Sequence, residues 1–176
     1  MFACIVICCE AMNVARRAVL INDEMKAFLE SGLSVVVGTR DVGLAPEIVR
    51  AWGPVVSNDR QTISLCVPLA ASARTLDNLS TIGRISVAFT LPTNLQSVQV
   101  KGTWIETTEP DAADLAAVAQ HRDAFACLNE RIGIPRSAIE ALWTRELETS
   151  AVLVKLRFVP EQVFNQTPGP DAGARL

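Results

Sequence analysis

The sequence predicts an α+β fold: a six-stranded, mostly antiparallel β-barrel with helices packed around it. Three observations carry this. Short runs rich in β-branched residues alternate apolar and polar positions, as Ile63, Leu65 and Val67 do against Thr62, Ser64 and Cys66. The first three runs are joined by short turns with no helix between them, which favours a meander and a barrel over a doubly wound sheet. After Pro110 the apolar period changes from two to helical spacing, so helices interrupt the strands.

The elements follow in chain order. Asn22 suits the cap of a short helix running to about Ser31 and stopped by Gly32, with Met25, Phe28 and Leu29 on one face. Leu33–Arg40 is a Val-rich strand ending at the turn Asp41-Val-Gly43. Glu47–Val56 and Thr62–Val67 complete the meander. Ser72 is placed to cap a helix through Leu76 and Leu79 that ends at Gly83. Arg84–Leu91 is a strand with Ile85, Val87 and Phe89 on one face. Ser97–Glu106 is another, and Gly102 within it suits a bulge or a close backbone approach. From Pro110, at the first turn of a long helix, the residues Leu115, Val118, Phe125, Leu128 and Ile132 recur at helical spacing. Gly133-Ile-Pro135 breaks that helix, and Ser137-Ala-Ile-Glu140 reads as a capping box opening a shorter one. Ala151–Phe158 returns to strand.

The 176 residues suit one domain, and 49% hydrophobic with 20% charged residues is a globular composition. Residues 1–21 read as a leader, either a disordered segment or an extension from an upstream start codon, with Met12 and Met25 as alternative starts. Residues 22–164 form the barrel domain, and 165–176, rich in Pro and Gly, an extended arm. The opening apolar stretch has no basic segment ahead of it, unlike a signal peptide. Cys4, Cys8, Cys9, Cys66 and Cys127 form no CxxC pair and are odd in number, a pattern of a reducing compartment. The expected location is cytoplasmic. A net charge of −3 makes nucleic acid and anionic membrane poor partners.

The residue inventory excludes several chemistries. His121 is the one histidine, so a Ser–His–Asp triad or a two-His metal site has no second candidate, and no metal site is expected. His121 itself reads as a solvated or capping helix residue, and Cys66 and Cys127 as core packing. Neither GxGxxG after a strand nor GxxxxGK[ST] occurs. A phosphorylated cofactor would have to be held by side chains and helix N-termini. Three places could do so: Arg50 in the Arg50-Ala-Trp-Gly53 run; Ser72-Ala-Arg74-Thr75 at a helix start, where N–H groups, a hydroxyl and a guanidinium converge; and Gln96, Ser97, Gln99 and Lys101 along one strand. Alone, each is equally a solvated or capping feature.

Taken in order, these runs resemble the pyridoxamine-5′-phosphate-oxidase-like FMN-binding split-barrel family. The matching series is the Val-rich first strand, Arg50-Ala-Trp-Gly53, Thr62–Val67, Ala73-Arg-Thr-Leu-Asp-Asn-Leu79, Arg84-Ile-Ser-Val-Ala-Phe89 and Val98-Gln-Val-Lys-Gly102, with Val163–Gly173 similar to a subgroup. The resemblance covers roughly residues 25–176. It implies a six-stranded antiparallel split β-barrel with peripheral helices, a homodimer, and FMN at the subunit interface. By position, Arg50 is implied near the flavin phosphate or ribityl chain, Arg74 and Thr75 at the phosphate, and Gln96 and Ser97 near the ring. Lys101 falls on the same strand face, and Leu65 and Cys66 are implied to offer backbone groups to the isoalloxazine. The family commonly has two basic residues where this chain has Arg74 and Thr75. Pyridoxamine phosphate oxidases end in a basic, Trp-containing region; this chain ends in Gln166-Thr-Pro-Gly-Pro170-Asp-Ala-Gly173, so that substrate is not expected. The expected activity is a flavin-dependent oxidoreduction of another small molecule, with no catalytic residue assigned. The alternative is a non-catalytic module for flavin, haem or deazaflavin, with His121 as the axial ligand a haem would need.

Overall fold

A computed structural model describes residues 19–149 and 152–176 of the chain. The first eighteen residues of the expected leader, with Cys4, Cys8, Cys9 and Met12, lie outside the described residues. Six strands close into one antiparallel barrel: β1 (Ser34–Arg40), β2 (Pro46–Val56), β3 (Ile63–Pro68), β4 (Arg84–Thr90), β5 (Ser97–Thr108) and β6 (Leu153–Asn165). Their order around the barrel is β1-β2-β3-β6-β5-β4, so the α+β barrel expectation holds. Four helices surround it: α1 (Asp23–Leu29), α2 (Ala73–Ile82), α3 (Ala112–Glu130) and α4 (Arg136–Thr149). No described helix is long and apolar enough to cross a membrane.

The alternation in sequence becomes inside and outside. Val35, Val37, Ala51, Leu65, Val87 and Phe158 point into the barrel and are essentially without solvent exposure. Gly102 is needed where β5 meets β6. A Cβ there would lie 2.0 Å from the Val159 carbonyl oxygen, and the β5–β6 register shifts at that point. A bulge is the physical solution. At the same bulge, Glu161 is buried and takes a bidentate pair from Arg84, with Thr103 Oγ1 2.6 Å away.

Several local expectations need correction. Ser72 does not cap α2; its hydroxyl donates to the Pro68 carbonyl instead, at 2.6 Å. Helix α3 starts two residues beyond Pro110, capped by Asp111, whose carboxylate accepts from Ala113 and Asp114 while the Asp114 side chain reciprocates. The stripe read as its core is wrong in part. Leu115 and Ile132 are exposed, and the buried face is Asp114, Val118, His121, Phe125 and Asn129. Ser137 lies inside α4, whose first turn begins on the Pro135 carbonyl. Strand β6 runs on to Asn165, and the C-terminal arm folds back on it: Asn165 N–H donates to Ala174 and Leu176 N–H to Val163.

Candidate functional site

The residues singled out by sequence fall in four places. The first is the N-terminus of α2. Residues Ala73, Arg74 and Thr75 have no carbonyl one turn earlier to bond, and Ser72 contributes no side-chain cap. Three N–H groups and the positive end of the helix therefore point outward there. Arg74 is largely exposed and reaches Glu47 of β2 at 3.2 Å. Thr75 faces the barrel, fully buried, and its Oγ1 has no hydrogen-bond partner. One turn on, Asn78 donates to Thr39 Oγ1 of β1 at 3.1 Å, which fixes this helix face on the sheet. An orphaned buried hydroxyl costs free energy unless something completes it. A small pocket of about 140 Å³ lies against this corner, lined by Asp41, Glu47, Asp77, Arg74 and Asn78 but not by Thr75.

Arg50 is the second. It stands half-buried on the outer face of β2, its Cζ 5.7 Å from the Trp52 ring centroid and 5.8 Å from that of Phe125. Cation–π contact and a long bond to Ser34 Oγ, 3.5 Å, hold it. Beside it, α3 and α4 cover β2 and β3 with a cluster of Trp52, Cys66, Phe125 and Trp143. Both remaining flavin-contact candidates on β3 sit in this neighbourhood. The Leu65 side chain is in the barrel core, and Cys66 is under the helices opposite Lys155. Burial pushes the Cys66 thiol up to about 12, with the Asp114 carboxylate adding to it and Lys155 opposing, so it is inert as a nucleophile near neutral pH.

The third place is a groove of about 640 Å³ between α1, the β4–β5 turn and the folded-back arm. Gln96 lines it together with Asn22, Met25, Phe28 and Asn165. Ser97, next in sequence, is buried and satisfied: its hydroxyl lies 3.0 Å from Thr90 Oγ1 and donates to the Leu95 carbonyl, and its N–H donates to Thr167. Lys101 belongs to the fourth place, the outer face of β1, β4 and β5, with Nζ 4.8 Å from the Phe164 ring centroid. Arg74 and Thr75 are thus neighbours, as are Gln96 and Ser97. The structure of one chain does not bring all eight candidates into one cavity.

His121 is the residue whose environment the sequence misplaced. It is 3% exposed, packed edge-on to Trp52 with ring centroids 5.8 Å apart. Desolvation drives its pKa down to about 4, the nearby Arg122 charge adding to the shift, and neither ring nitrogen has a hydrogen-bond partner. Arg122 itself lies 5.0 Å from the Trp52 centroid and 5.7 Å from that of Trp143. A signal for this existed: His121 and Phe125 are one turn apart, and Asp114, Val118 and His121 keep a three-and-four spacing. Among the described residues, no group of His, Cys, Asp and Glu side chains could hold a metal ion.

No known family profile matches the chain, and no curated protein matches it in sequence. Solved structures do share its fold. One, 17% identical and covering 91% of this chain and 95% of its own, superposes with a TM-score of 0.51. HupZ from Group A Streptococcus is 21% identical, over 87% of this chain and 99% of that one, at a TM-score of 0.49. A protein of the pyridoxinephosphate oxidase family from Clostridium acetobutylicum is 18% identical, over 80% and 83%, at 0.48. At these identities the likeness is one of fold.

Proposed function

We propose that this chain is a flavin-binding split-barrel protein of the pyridoxamine-phosphate-oxidase-like type, holding FMN as a homodimer and acting as an oxidoreductase on a small molecule. The observation that carries the reading is the α2 corner. Thr75 Oγ1, buried and without a partner, stands with Arg74 at a helix start that no side chain caps. A phosphate monoester fits this donor set: backbone N–H groups, one hydroxyl and one guanidinium, with the helix dipole aligned. Arg74 would exchange Glu47 for the phosphate. One cation and one hydroxyl stand where two cations are usual, so binding should be weaker than a doubly basic site gives.

Bound FMN would supply hydride or electron transfer at its ring. This chain's residues hold and orient it: Arg74 and Thr75 at the phosphate, Arg50 along the chain that follows, Gln96 and Ser97 toward the ring. That these fall in separate grooves of one chain supports a cofactor shared between two copies. The free cysteines Cys66 and Cys127 suit a reducing cytoplasm. Haem is the less supported reading, because His121 is buried on the inner face of α3 against Trp52.

An absorbance spectrum of the purified protein, with riboflavin and FMN titrations, tests this. Arg74→Gln and Thr75→Val should each weaken FMN about tenfold, the value of one lost charge-assisted bond, and leave riboflavin unchanged. Colourless protein whose melting temperature FMN does not raise would overturn it.

A further inference from the structure

The outer face of β1, β4 and β5 carries a second groove, of about 380 Å³, that the α2 corner does not use. Its floor is set by register. Gly38 of β1 pairs with Ser86 of β4, which pairs with Lys101 of β5. Two residues along each strand on the same face stand Arg40 and Arg84, and Gln99 is two before Lys101. The central positions are small, so the sheet surface is hollow there. Its rim carries three cations, and none of the residues lining it is acidic. In a chain of net charge −3, that is a local reversal of sign.

The cations are held in different ways. Arg84 is clamped by the buried Glu161 carboxylate through both terminal nitrogens, at 3.2 and 2.9 Å, so its position is fixed and its charge offset. Lys101 is steadied over the Phe164 ring at 4.8 Å. Arg40 donates only a long bond, 3.3 Å, to the Asp41 carbonyl. Neither Arg40 nor Lys101 pairs with a carboxylate among the described residues. Ser86 and Gln99 add neutral hydrogen-bonding groups between them. Arg40 and Lys101 line one groove from β1 and β5, and with no carboxylate in the lining their positive potential favours an anion there.

We propose that this groove is an anion subsite, in which Arg40 and Lys101 receive the phosphate or carboxylate group of a small acidic ligand, with Arg84, Ser86 and Gln99 orienting it. Lys101 is also a flavin candidate by sequence, but the assignment needs neither α2 nor a cofactor.

Amide NMR titration of the full chain, at constant ionic strength, tests it. The probes are inorganic phosphate and malonate, with sodium chloride as the control. The expected result is saturable shifts at Gly38, Ser86 and Lys101 with one or both probes, and which probe binds tells phosphate from carboxylate. Lys101→Gln and Arg40→Gln should each weaken binding at least fivefold; Arg74→Gln should leave it unchanged. Arg40 is exposed, so Arg40→Gln keeps the test open even if Lys101→Gln folds poorly. Shifts no larger than those with chloride, shifts confined to α2, or affinity indifferent to both substitutions would each overturn the proposal. Failure of FMN binding would not, because the probes carry no flavin.

Discussion

The barrel has two kinds of outer surface, and they use the same residue chemistry to different ends. Over β2 and β3, helices α3 and α4 close down on Trp52, Cys66 and Phe125. Over β1, β4 and β5, none of the described helices lies on the outer row Gly38, Ser86, Lys101. On the covered face, titratable groups are silenced: Cys66 is pushed up to about 12 and His121 down to about 4. Arginines there stack on rings. On the bare face, side chains are small and cations remain in contact with water. The difference teaches that a reactive residue type is no guide by itself; the covered face spends its cysteine and histidine on packing, and the bare face keeps room for a ligand.

The largest expected effect tests whether the covered face is a true core. Trp52→Ala should cost about 3–5 kcal/mol, the range for deleting a large buried aromatic, whereas Ser86→Ala on the bare face should change stability by less than about 0.5 kcal/mol. Urea unfolding midpoints of the two variants decide it, and equal losses would erase the distinction between the faces. Gly53→Ala comes next. Gly53 has φ +59°, and a Cβ there would approach the Val118 backbone nitrogen of α3 to 2.7 Å. Left-handed backbone and a helix forced outward together should cost about 2–4 kcal/mol. Because the clash is with α3 alone, near-ultraviolet dichroism from the Trp52 cluster should fall while the barrel's far-ultraviolet signal persists.

A third measurement sharpens the comparison through pH. The folded pKa of His121 lies near 4, below its ordinary 6.5, and burial is the main cause. The unfolded chain therefore takes up a proton that the folded chain refuses. Stability should be fully present above about pH 6.5, fall as pH drops through that window, and level off below about 4. Between pH 7.5 and 5 the loss should be about 2 kcal/mol. His121→Phe should remove this pH dependence, read as the change in urea midpoint between the two pH values. Variants on the bare face should keep it.

How much of this was legible in the sequence differs between the same two faces. The barrel's interior was readable, because a strand side chain has only two directions and Ile63, Leu65 and Val67 declare theirs. Gly102 announced a close approach for the same reason. On the covered face hydrophobicity is a poor marker of burial. Leu115 and Ile132 stay exposed while Asp114, His121 and Asn129 go inside: Asp114 pairs with Lys155 at 2.8 Å, Asn129 donates to the Phe125 carbonyl at 2.7 Å, and His121 packs edge-on against Trp52 with neither ring nitrogen hydrogen-bonded. Ser72 and Ser137 had the composition of caps, but a hydroxyl takes whichever acceptor the fold brings near. The candidate site was legible residue by residue and not as a place. Arg74 and Thr75 are adjacent in sequence and stay so; that Arg40 of β1 and Lys101 of β5 line one groove depends on β4 lying between them, which strand order alone determines.

The smallest expected effect reverses sign, and for that reason bears hardest on the bare face. Gly38 has no left-handed backbone, and an added Cβ would meet only the Ser86 carbonyl oxygen at 3.6 Å, an ordinary contact. Gly38→Ala should therefore raise stability, by up to about 1 kcal/mol, since alanine has less freedom to lose on folding. A glycine held at such a cost in the middle of β1 wants another reason, and the hollow floor between Arg40 and Lys101 supplies one. The methyl would stand where a bound oxyanion lies, so affinity for that oxyanion should fall at least threefold while the melting temperature rises. If Gly38→Ala stabilises the protein and leaves binding untouched, the hollow is only a gap between side chains, and the contrast between the two faces reduces to one of packing.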